Sequence, residues 1–282
     1  KTFTHKPQAW CWFYDKWLKH PIHNNLYPFS VDEKVELIKD FVEKKKVNVK
    51  NYEDWLRNQY GNKIIEKFNL PYTKKYWTVP ANKLGINWIG KRVRIANLRE
   101  ILFGALTEET PTYYYAKEMR YPQNGGYKAF LNPLIGQDEI YTNNRAINID
   151  IELKNITFDS GHKVSFSNLI STIPLPELIS ILNKVPNEIK LLSETLHATS
   201  VDLISVGFNK DKILDKLWFY IYDDDILAAR CHSPSIKSIN NSPLGKSSLQ
   251  FEIYSSSFNP QKESVSRMKE NTIYALKKMK II

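Results

Sequence analysis

Two aromatic residues, each followed by an arginine, could bind a phosphorylated ligand. Trp77 precedes Arg92, and Tyr220 precedes Arg230. A guanidinium group binds phosphate oxygens through parallel hydrogen bonds, and an aromatic ring can stack on a base or a sugar face. Trp and Arg also serve as core and surface residues. The two pairs therefore indicate a phosphorylated-ligand site, with plain structural packing as the alternative.

Sequence patterns of the common phosphate, metal and redox sites are absent. There is no glycine-rich phosphate loop, no His-Glu-x-x-His and no Cys-x-x-Cys in the sequence. His20 and His23 have the spacing of a metal pair, but Pro21 between them argues against a helix that would present both. Asp223–Asp225 could bind a divalent cation, and an acidic turn after a strand is the simpler interpretation. We expect no metal site.

The composition is that of a globular protein with a basic surface. Of 282 residues, 42% are hydrophobic, and no apolar stretch reaches the ~18 residues of a membrane helix. Lys and Arg number 40 against 30 Asp and Glu, so the net charge of +10 favours an anionic partner. Cys11 and Cys231 are too few for a disulfide framework and indicate a reducing, cytoplasmic location. The sequence begins with Lys1 and not with Met, which is compatible with its being a piece of a longer protein.

The first third of the sequence has helical signals. Ser30–Glu33 is a capping-box segment, and the apolar residues that follow recur at helical spacing. Asn51 is expected to cap a second helix that ends at Gly61. A third short helix is predicted over 63–68, ending before Pro71.

After residue 140 the apolar pattern changes from helical to alternating. Alternating runs at 147–151, 156–158 and 164–166, separated by polar turns, predict a β-meander. Further strands are predicted over 169–173, 201–208, 217–222 and 249–254, and further helices over 176–183, 187–197 and 262–278. Helices followed by an antiparallel sheet define an α+β fold class. We divide the chain into a mainly helical substrate-binding region at 1–118 and an antiparallel sheet with helices, facing flavin and substrate, at 119–282.

Several segments also carry a resemblance to one enzyme family. His20–Leu26 is similar to a Tyr-Pro-Phe-Gln-Asn-Asn segment, and Arg120–Tyr127 is similar to a flavin-proximal Pro-x-x-Gly-Gly turn. Asp159–Pro174 resembles a segment of the wider amine-oxidase-like flavoproteins. The remaining matches are Asn51–Trp55, Gly61, Pro71, Tyr72, Lys75–Trp77, Pro80, Trp88, Arg92, Val93, Trp218–Tyr220 and Arg230. In this order, over nearly the whole chain, they resemble the FAD-dependent UDP-galactopyranose mutases.

The resemblance implies roles for individual residues. Arg92 and Arg230 would act in catalysis by clasping the UDP diphosphate, where charge develops as it leaves. Tyr220 would hydrogen-bond that diphosphate, and Trp77 would pack beside the sugar. The other implied substrate-binding residues are Thr73, His20, His23 and Asn24. The implied cofactor-binding residues are Gly125, Gly126, Ser171, Thr172 and Arg145, and the implied cofactor is FAD in its reduced form.

The implied activity is the conversion of a nucleotide sugar between pyranose and furanose forms for cell-surface glycan synthesis. The implied fold is the substrate-binding half of a mutase-like flavoprotein. The N-terminal dinucleotide fold and the C-terminal flavin segment of the family have no counterpart in this sequence. We therefore expect that this chain alone does not hold FAD tightly. Three explanations stay open: the sequence is an excerpt of a longer protein, a separate flavin-binding segment or chain completes the site, or the protein is a degenerate relative of the family.

The sequence departs from the family at three residues. His20, His23 and Thr73 stand where the mutases have Tyr, Gln and Asn.

The sequence also leaves other functions open. One alternative is an amine-oxidase-like FAD oxidoreductase, such as a desaturase or a protoporphyrinogen oxidase relative. Another is a non-catalytic module that binds a nucleotide sugar. The expected partner is a UDP-sugar or a similar nucleotide sugar, with neither nucleic acid nor a membrane span involved.

Overall fold

The computed structural model describes residues 1–90, 93–111, 116–135, 140–196 and 198–282. These residues form two compact units, one of Lys1–Pro133 with Thr199–Ile282 and the other of Leu134–Ala198. Both helices and sheets are present in the chain, so the predicted α+β fold class is confirmed. Arg92 and His197 lie outside the described residues. The proposed division at residues 118 and 119 stays a prediction.

The first unit contains most of the described elements. Its strands are β1 (Thr2–His5), β2 (Ala9–Phe13), β3 (Lys16–Lys19), β4 (Met119–Pro122), β8 (Thr199–Phe208), β9 (Trp218–Ile221), β10 (Arg230–His232) and β11 (Ser247–Ser256). Its helices are α1 (Val31–Glu43), α2 (Tyr52–Tyr60), α3 (Asn62–Ile64), α4 (Leu70–Trp77), α5 (Leu98–Leu106), α8 (Pro234–Lys237) and α9 (Val265–Lys278). The second unit contains β5 (Ala146–Asp150), β6 (Asn155–Phe158), β7 (Lys163–Ser165), α6 (Leu175–Ile181) and α7 (Asn187–Glu194).

The main sheet of the first unit has the strand order β3-β2-β9-β10-β11-β8. Strand β2 runs parallel to β9, and the other neighbours are antiparallel. Successive side chains of a strand point to opposite faces. Phe219 and Ile221 accordingly pack into the core that includes α9, whereas Tyr220 and Tyr222 pack against the core that includes the helices α1 to α5. The sheet thus presents these two tyrosines to the helical layer.

The predicted helix signals in the first third are mostly confirmed. The Ser30 side chain accepts from the Glu33 backbone, and Glu33 bonds back to the Ser30 N–H, as in a capping box. Asn51 caps α2, and Gly61 ends it at a φ of +79°. The sequence patterns do not predict β1, β2 and β3, which precede α1. These strands have only four or five residues each, and so short a run shows little periodicity.

The prediction that the third helix ends before Pro71 is wrong. The chain stays helical from α3 through a π-helical turn at Ile65–Asn69 into α4, with Pro71 near the start of α4. In the π-helical turn the Leu70 N–H donates to the Ile65 carbonyl. Because this turn is wider than an α-helical one, the helix continues past the proline that lacks an N–H.

The second unit contains the predicted meander, in which β5, β6 and β7 pair antiparallel. The predicted strand over 169–173 is wrong, since this segment has no regular structure. The segment is exposed, with Ile170 at 91%. Within the described parts of the chain no strand pairs with it, and alternation alone does not make a strand without that pairing.

Candidate functional site

A cleft of about 480 Å³ in the first unit is the candidate site. Six residues predicted to contact substrate line it, namely His20, His23, Thr73, Trp77, Tyr220 and Arg230. The other lining residues are Pro21, Ile22, Tyr52, Tyr60, Phe68, Asn69, Tyr72, Tyr76, Trp88, Val93, Arg94 and Tyr222. The cleft is thus mainly aromatic, with a few polar groups, as ligand sites often are.

Helix α4 and strand β9 bring several tyrosines to the cleft wall. Tyr72, Tyr76 and the neighbouring residues of α4 recur at helical spacing, so they share one face of that helix. Strand β9 contributes Tyr220, and Tyr222 follows it on the same face of the sheet. The ring centroids of Tyr72 and Tyr222 are 4.6 Å apart, and those of Tyr72 and Tyr220 are 5.8 Å apart. Helix and sheet therefore meet through their tyrosines.

Arg230, one of the described arginines that line the cleft, is held in place by a buried carboxylate. Arg230 in β10 donates from Nε to Glu252 Oε2 of β11 over 2.7 Å. The Tyr254 hydroxyl donates to the same carboxylate, and His232 Nδ1 lies 3.2 Å from its Oε1. Burial alone would raise the pKa of Glu252, but these three hydrogen bonds lower it to about 2. Burial alone would lower the pKa of Arg230, and the bond to Glu252 outweighs it, so Arg230 stays a cation.

The tyrosines of the cleft keep their protons at neutral pH. Burial raises the pKa of Tyr220 to about 12 and raises the pKa values of Tyr72 and Tyr222 well above their ordinary range. Each hydroxyl can therefore donate a hydrogen bond. The Tyr72 hydroxyl donates to the Ala229 carbonyl over 3.1 Å. Trp77 packs against Trp88 with ring centroids 5.4 Å apart, which gives the cleft a second aromatic wall.

The two histidines are uncharged wall residues. The His20 ring packs on Tyr220 at 4.9 Å, and the His23 ring packs on Tyr60 at 4.6 Å, between centroids. Burial lowers the pKa of His20 to about 4. Burial, followed by the charges of His20 and Arg94, lowers the pKa of His23 to about 3. Neither imidazole contributes positive charge to the cleft at neutral pH.

Of the two remaining predicted residues, Arg92 lies outside the described residues, and Asn24 does not line the cleft. Asn24 is buried, and its Nδ2 donates to Glu100 Oε2 over 2.9 Å. Glu100 also forms a salt bridge with Arg94, which does line the cleft. Asn24 therefore supports a cleft-lining arginine through a shared carboxylate.

The residues expected to contact FAD lie in both units. Gly125 and Gly126 form a turn after β4, with φ angles of +79° and +61° that favour glycine. Ser171, Thr172 and Arg145 belong to the second unit and are exposed. None of these five residues lines the cleft of the first unit. The sequence also has no glycine-rich phosphate loop, so these residues by themselves do not make a binding site for FAD.

The acidic turn is part of a structural ion-pair network. The fully buried Asp223 carboxylate accepts from Trp12 Nε1 at 3.1 Å and lies 2.9 Å from Lys278 Nζ. Lys278 also bonds to Asp225. Among the described residues no cluster of His, Cys, Asp and Glu could hold a metal ion. The described helices include none that is both long and apolar enough to cross a membrane.

Several residues of the cleft and its support have no role that the sequence predicts. Asn69, Tyr76 and Tyr222 line the cleft, and Glu252 holds the arginine in place. The helical spacing of Tyr72 and Tyr76 and the alternation of Tyr220 and Tyr222 are signals that could have found the tyrosines. Asn69 and Glu252 have no such signal, because their contacts depend on the π-helical turn and on strand pairing.

The fold of this chain is shared with solved structures of a mutase and of oxidoreductases. A reduced UDP-galactopyranose mutase matches with a TM-score of 0.90 and 24% sequence identity, over 100% of this chain and 63% of that one. The fold-level resemblance seen in the sequence is thereby confirmed. At 24% sequence identity, the match shows a common fold. No family model matches the sequence.

Oxidoreductases share the fold at lower similarity. A protein assigned as protoporphyrinogen oxidase from Exiguobacterium sp. 255-15 has a TM-score of 0.68 and 15% identity, over 99% of this chain and 66% of that one. An oxidoreductase from Methanosarcina mazei has a TM-score of 0.61 and 11% identity, over 100% and 66%. This chain thus spans just under two thirds of the length of the structures that it matches.

Proposed function

We propose that this chain is the substrate-binding part of a flavin-dependent mutase that interconverts the pyranose and furanose forms of a nucleotide sugar. The observation that carries the proposal is the cationic Arg230, fixed by the buried Glu252 in an aromatic cleft. The cleft belongs to a fold that matches a UDP-galactopyranose mutase with a TM-score of 0.90. The product would serve cell-surface glycan synthesis.

In this proposal the cleft residues orient the substrate and stabilise its leaving group. Arg230, together with Arg92, offsets the charge that develops on the diphosphate as it departs. The Tyr220 hydroxyl, which keeps its proton, donates to a diphosphate oxygen. Trp77 packs against the sugar face, where an aromatic ring excludes water.

The cofactor of the proposed reaction is reduced FAD, which supplies the chemistry at the anomeric carbon. A segment or chain other than this one would hold most of it. Gly125 and Gly126 would let the backbone approach the flavin ring, and Arg145, Ser171 and Thr172 would contact its adenosine and pyrophosphate side. Each of these five residues is exposed or lies in a turn.

An FAD-dependent oxidoreductase is the second candidate function. It is favoured by the fold match to the protein assigned as protoporphyrinogen oxidase and to the oxidoreductase from Methanosarcina mazei. The half-buried Arg230, held by the buried Glu252, favours the mutase, because an anion-binding arginine in the cleft suits a diphosphate substrate.

The test is an assay of a flavin-containing protein that includes this chain. We expect reduced enzyme to convert UDP-galactopyranose to the furanose form, as separated by chromatography, and Arg230→Ala to lose most of that activity. Lys45→Ala, in an exposed segment after α1, is the control and should retain it. Bound flavin without ring conversion, but with oxidation of a substrate, would favour the oxidoreductase.

A further inference from the structure

Helix α5 of the first unit is apolar on its outer face as well as on its inner face. Ile101, Gly104 and Ala105 are buried on the inner face. Four large apolar side chains of the outer face, called the α5 stripe below, are exposed: Leu98 at 38%, Leu102 at 39%, Phe103 at 43% and Leu106 at 86%. None of the four lines the cleft. A helix that is apolar all round is normally buried, and an exposed apolar patch marks an interaction site.

The inner contacts of α5 determine which of its faces is exposed. A Cβ atom on Gly104 would lie 1.8 Å from the carbonyl oxygen of Asn24, so the two backbones approach this closely only because residue 104 is glycine. Glu100 also faces inward, where its carboxylate accepts from Asn24 Nδ2 and pairs with Arg94. Rotation of α5 to bury its stripe would break these contacts. The exposure of the stripe is therefore built into the fold.

The α5 stripe carries opposite charges at its two ends. Arg99 is exposed near the start of the helix, and Glu108 and Glu109 are exposed just after its end. The neighbouring Glu100 pairs with Arg94, so within the described part of the chain it is not the partner of Arg99. A surface that would cover this helix must therefore be apolar along its middle, acidic near Arg99 and basic near the two glutamates.

A second copy of the same helix has these properties. When two identical helices pack antiparallel about a two-fold axis near Leu102 and Phe103, the two stripes cover each other. Arg99 of each copy then lies beside the C-terminal end of the other α5, close to Glu108 and Glu109 of that copy. The helix dipole also favours a cation at a helix C-terminus. The exposed face of α5 is thus complementary to itself in both shape of pattern and charge.

We propose that the α5 stripe is the interface at which two copies of this chain form a symmetric dimer. Helix α5 has only nine residues, so the stripe alone buries less than the roughly 800 Å² per partner of a standard interface. The dimer is therefore a weak one that forms as the protein concentration rises. This inference does not depend on the proposed function, because the stripe lies outside the cleft.

Sedimentation velocity of the full chain, over about 1 to 100 µM, tests the proposal. We expect the wild type to shift from monomer toward dimer with increasing concentration. Leu102→Lys combined with Leu106→Lys should weaken self-association at least about 10-fold, because ammonium groups replace apolar contacts within the interface. Leu244→Lys, at a leucine that is 95% exposed before β11, is the matched control and should dimerise like the wild type. Melting curves verify that the variants are folded.

An exchange of charges tests the antiparallel arrangement separately. Arg99→Glu places like charges at both ends of the interface and should weaken the dimer about 3- to 10-fold. Glu108→Lys combined with Glu109→Lys should have a similar effect. All three substitutions together bring opposite charges into contact again and should recover most of the wild-type affinity. Failure of the combined variant to recover affinity would contradict the arrangement and overturn the proposal.

Two results of the sedimentation experiment would also overturn the proposal. A wild type that stays monomeric at every concentration would show that the stripe does not bind a second copy. Unchanged dimerisation of the folded Leu102→Lys and Leu106→Lys double variant would show that a different surface joins the copies. The proposed function is tested by ring conversion and nucleotide binding, and neither of these two results changes it.

Discussion

At the scale of single residues, the Arg230–Glu252 pair fixes a cationic guanidinium group on the cleft wall. Glu252 is 5% exposed and receives hydrogen bonds from more than one neighbour. A buried ion pair stabilises a fold only when its remaining atoms are also bonded, and removal of one charge leaves the other unpaired. Arg230 is thus fixed in position by bonds that form before any ligand binds.

We expect Glu252→Gln to destabilise the protein by about 1–3 kcal/mol, because a neutral amide replaces a carboxylate that several donors face. Chemical unfolding at neutral pH measures the change. Glu109→Gln, at an exposed glutamate, is the control and should change the free energy of unfolding by less than about 0.5 kcal/mol. Equal effects of the two substitutions would contradict the role given to Glu252.

The buried histidines make stability depend on pH. The pKa of His20 is lowered to about 4 and that of His23 to about 3 in the folded chain, against 6.5 as the ordinary value. Between the folded and the ordinary pKa values, the unfolded chain binds more protons than the folded chain. The contribution of the two neutral histidines to stability is therefore fully present above pH 6.5 and is lost as the pH decreases toward 4.

Unfolding free energies measured from pH 7 to pH 4 test this dependence. We expect a decline with decreasing pH in the wild type and a shallower decline in His23→Phe, which has no titrating group at that position. Lys45→Ala, which removes no histidine, is the control and should leave the slope unchanged. A wild-type slope in His23→Phe would show that His23 titrates normally.

At the scale of elements, local signals predict helix starts better than they predict helix ends. Ser30 and Asn51 cap their helices as expected, because each side chain bonds a backbone N–H only three residues away. The continuation past Pro71 was not predictable, since a π-helical turn depends on the packing of Ile65 and Phe68 in the core. That same turn brings Asn69 to the cleft.

The capping box of α1 gives a stability prediction. We expect Ser30→Ala to lower the free energy of unfolding by about 1 kcal/mol, because the Ser30 side chain bonds the Glu33 backbone and Ala cannot. Lys45→Ala, outside the helix, is the control and should have little effect. An unchanged midpoint of urea unfolding in Ser30→Ala would contradict this assignment.

Part of the candidate site cannot be predicted from the sequence, because it depends on how the strands pair. Alternation predicted a strand near Tyr220, and the resemblance named Tyr220 and Arg230. The pairing of β10 with β11, which puts Glu252 opposite Arg230, joins residues distant in sequence. No local sequence pattern specifies the register between β10 and β11. The pairing of Glu252 with Arg230 is therefore seen only in the structure.

At the scale of the whole molecule, the chain spans just under two thirds of the length of the structures that share its fold. Its proposed flavin contacts are exposed residues and a glycine turn. Arg145, Ser171 and Thr172 lie in the second unit, and Gly125 and Gly126 lie in the first. A dinucleotide normally binds at a glycine-rich turn before a helix N-terminus, and the sequence has no such motif.

We therefore expect this 282-residue chain not to retain FAD. The measurement is gel filtration of the chain after incubation with FAD, followed by the visible absorbance of the protein peak. The peak should be colourless, while a longer protein with a dinucleotide-binding segment should be yellow. Stoichiometric flavin on the chain itself would contradict the expectation.

The central claim is that Arg230 binds the diphosphate of a nucleotide, and calorimetric titration of UDP tests it most directly. A charged hydrogen bond contributes about 1.5–3 kcal/mol, so Arg230→Ala should weaken UDP binding by about 10- to 150-fold. Arg230→Lys should recover part of the affinity, because it keeps the charge and loses the planar fork. Lys45→Ala should bind like the wild type, with melting curves confirming that all variants fold. Equal UDP affinities of folded Arg230→Ala and the wild type would contradict the claim.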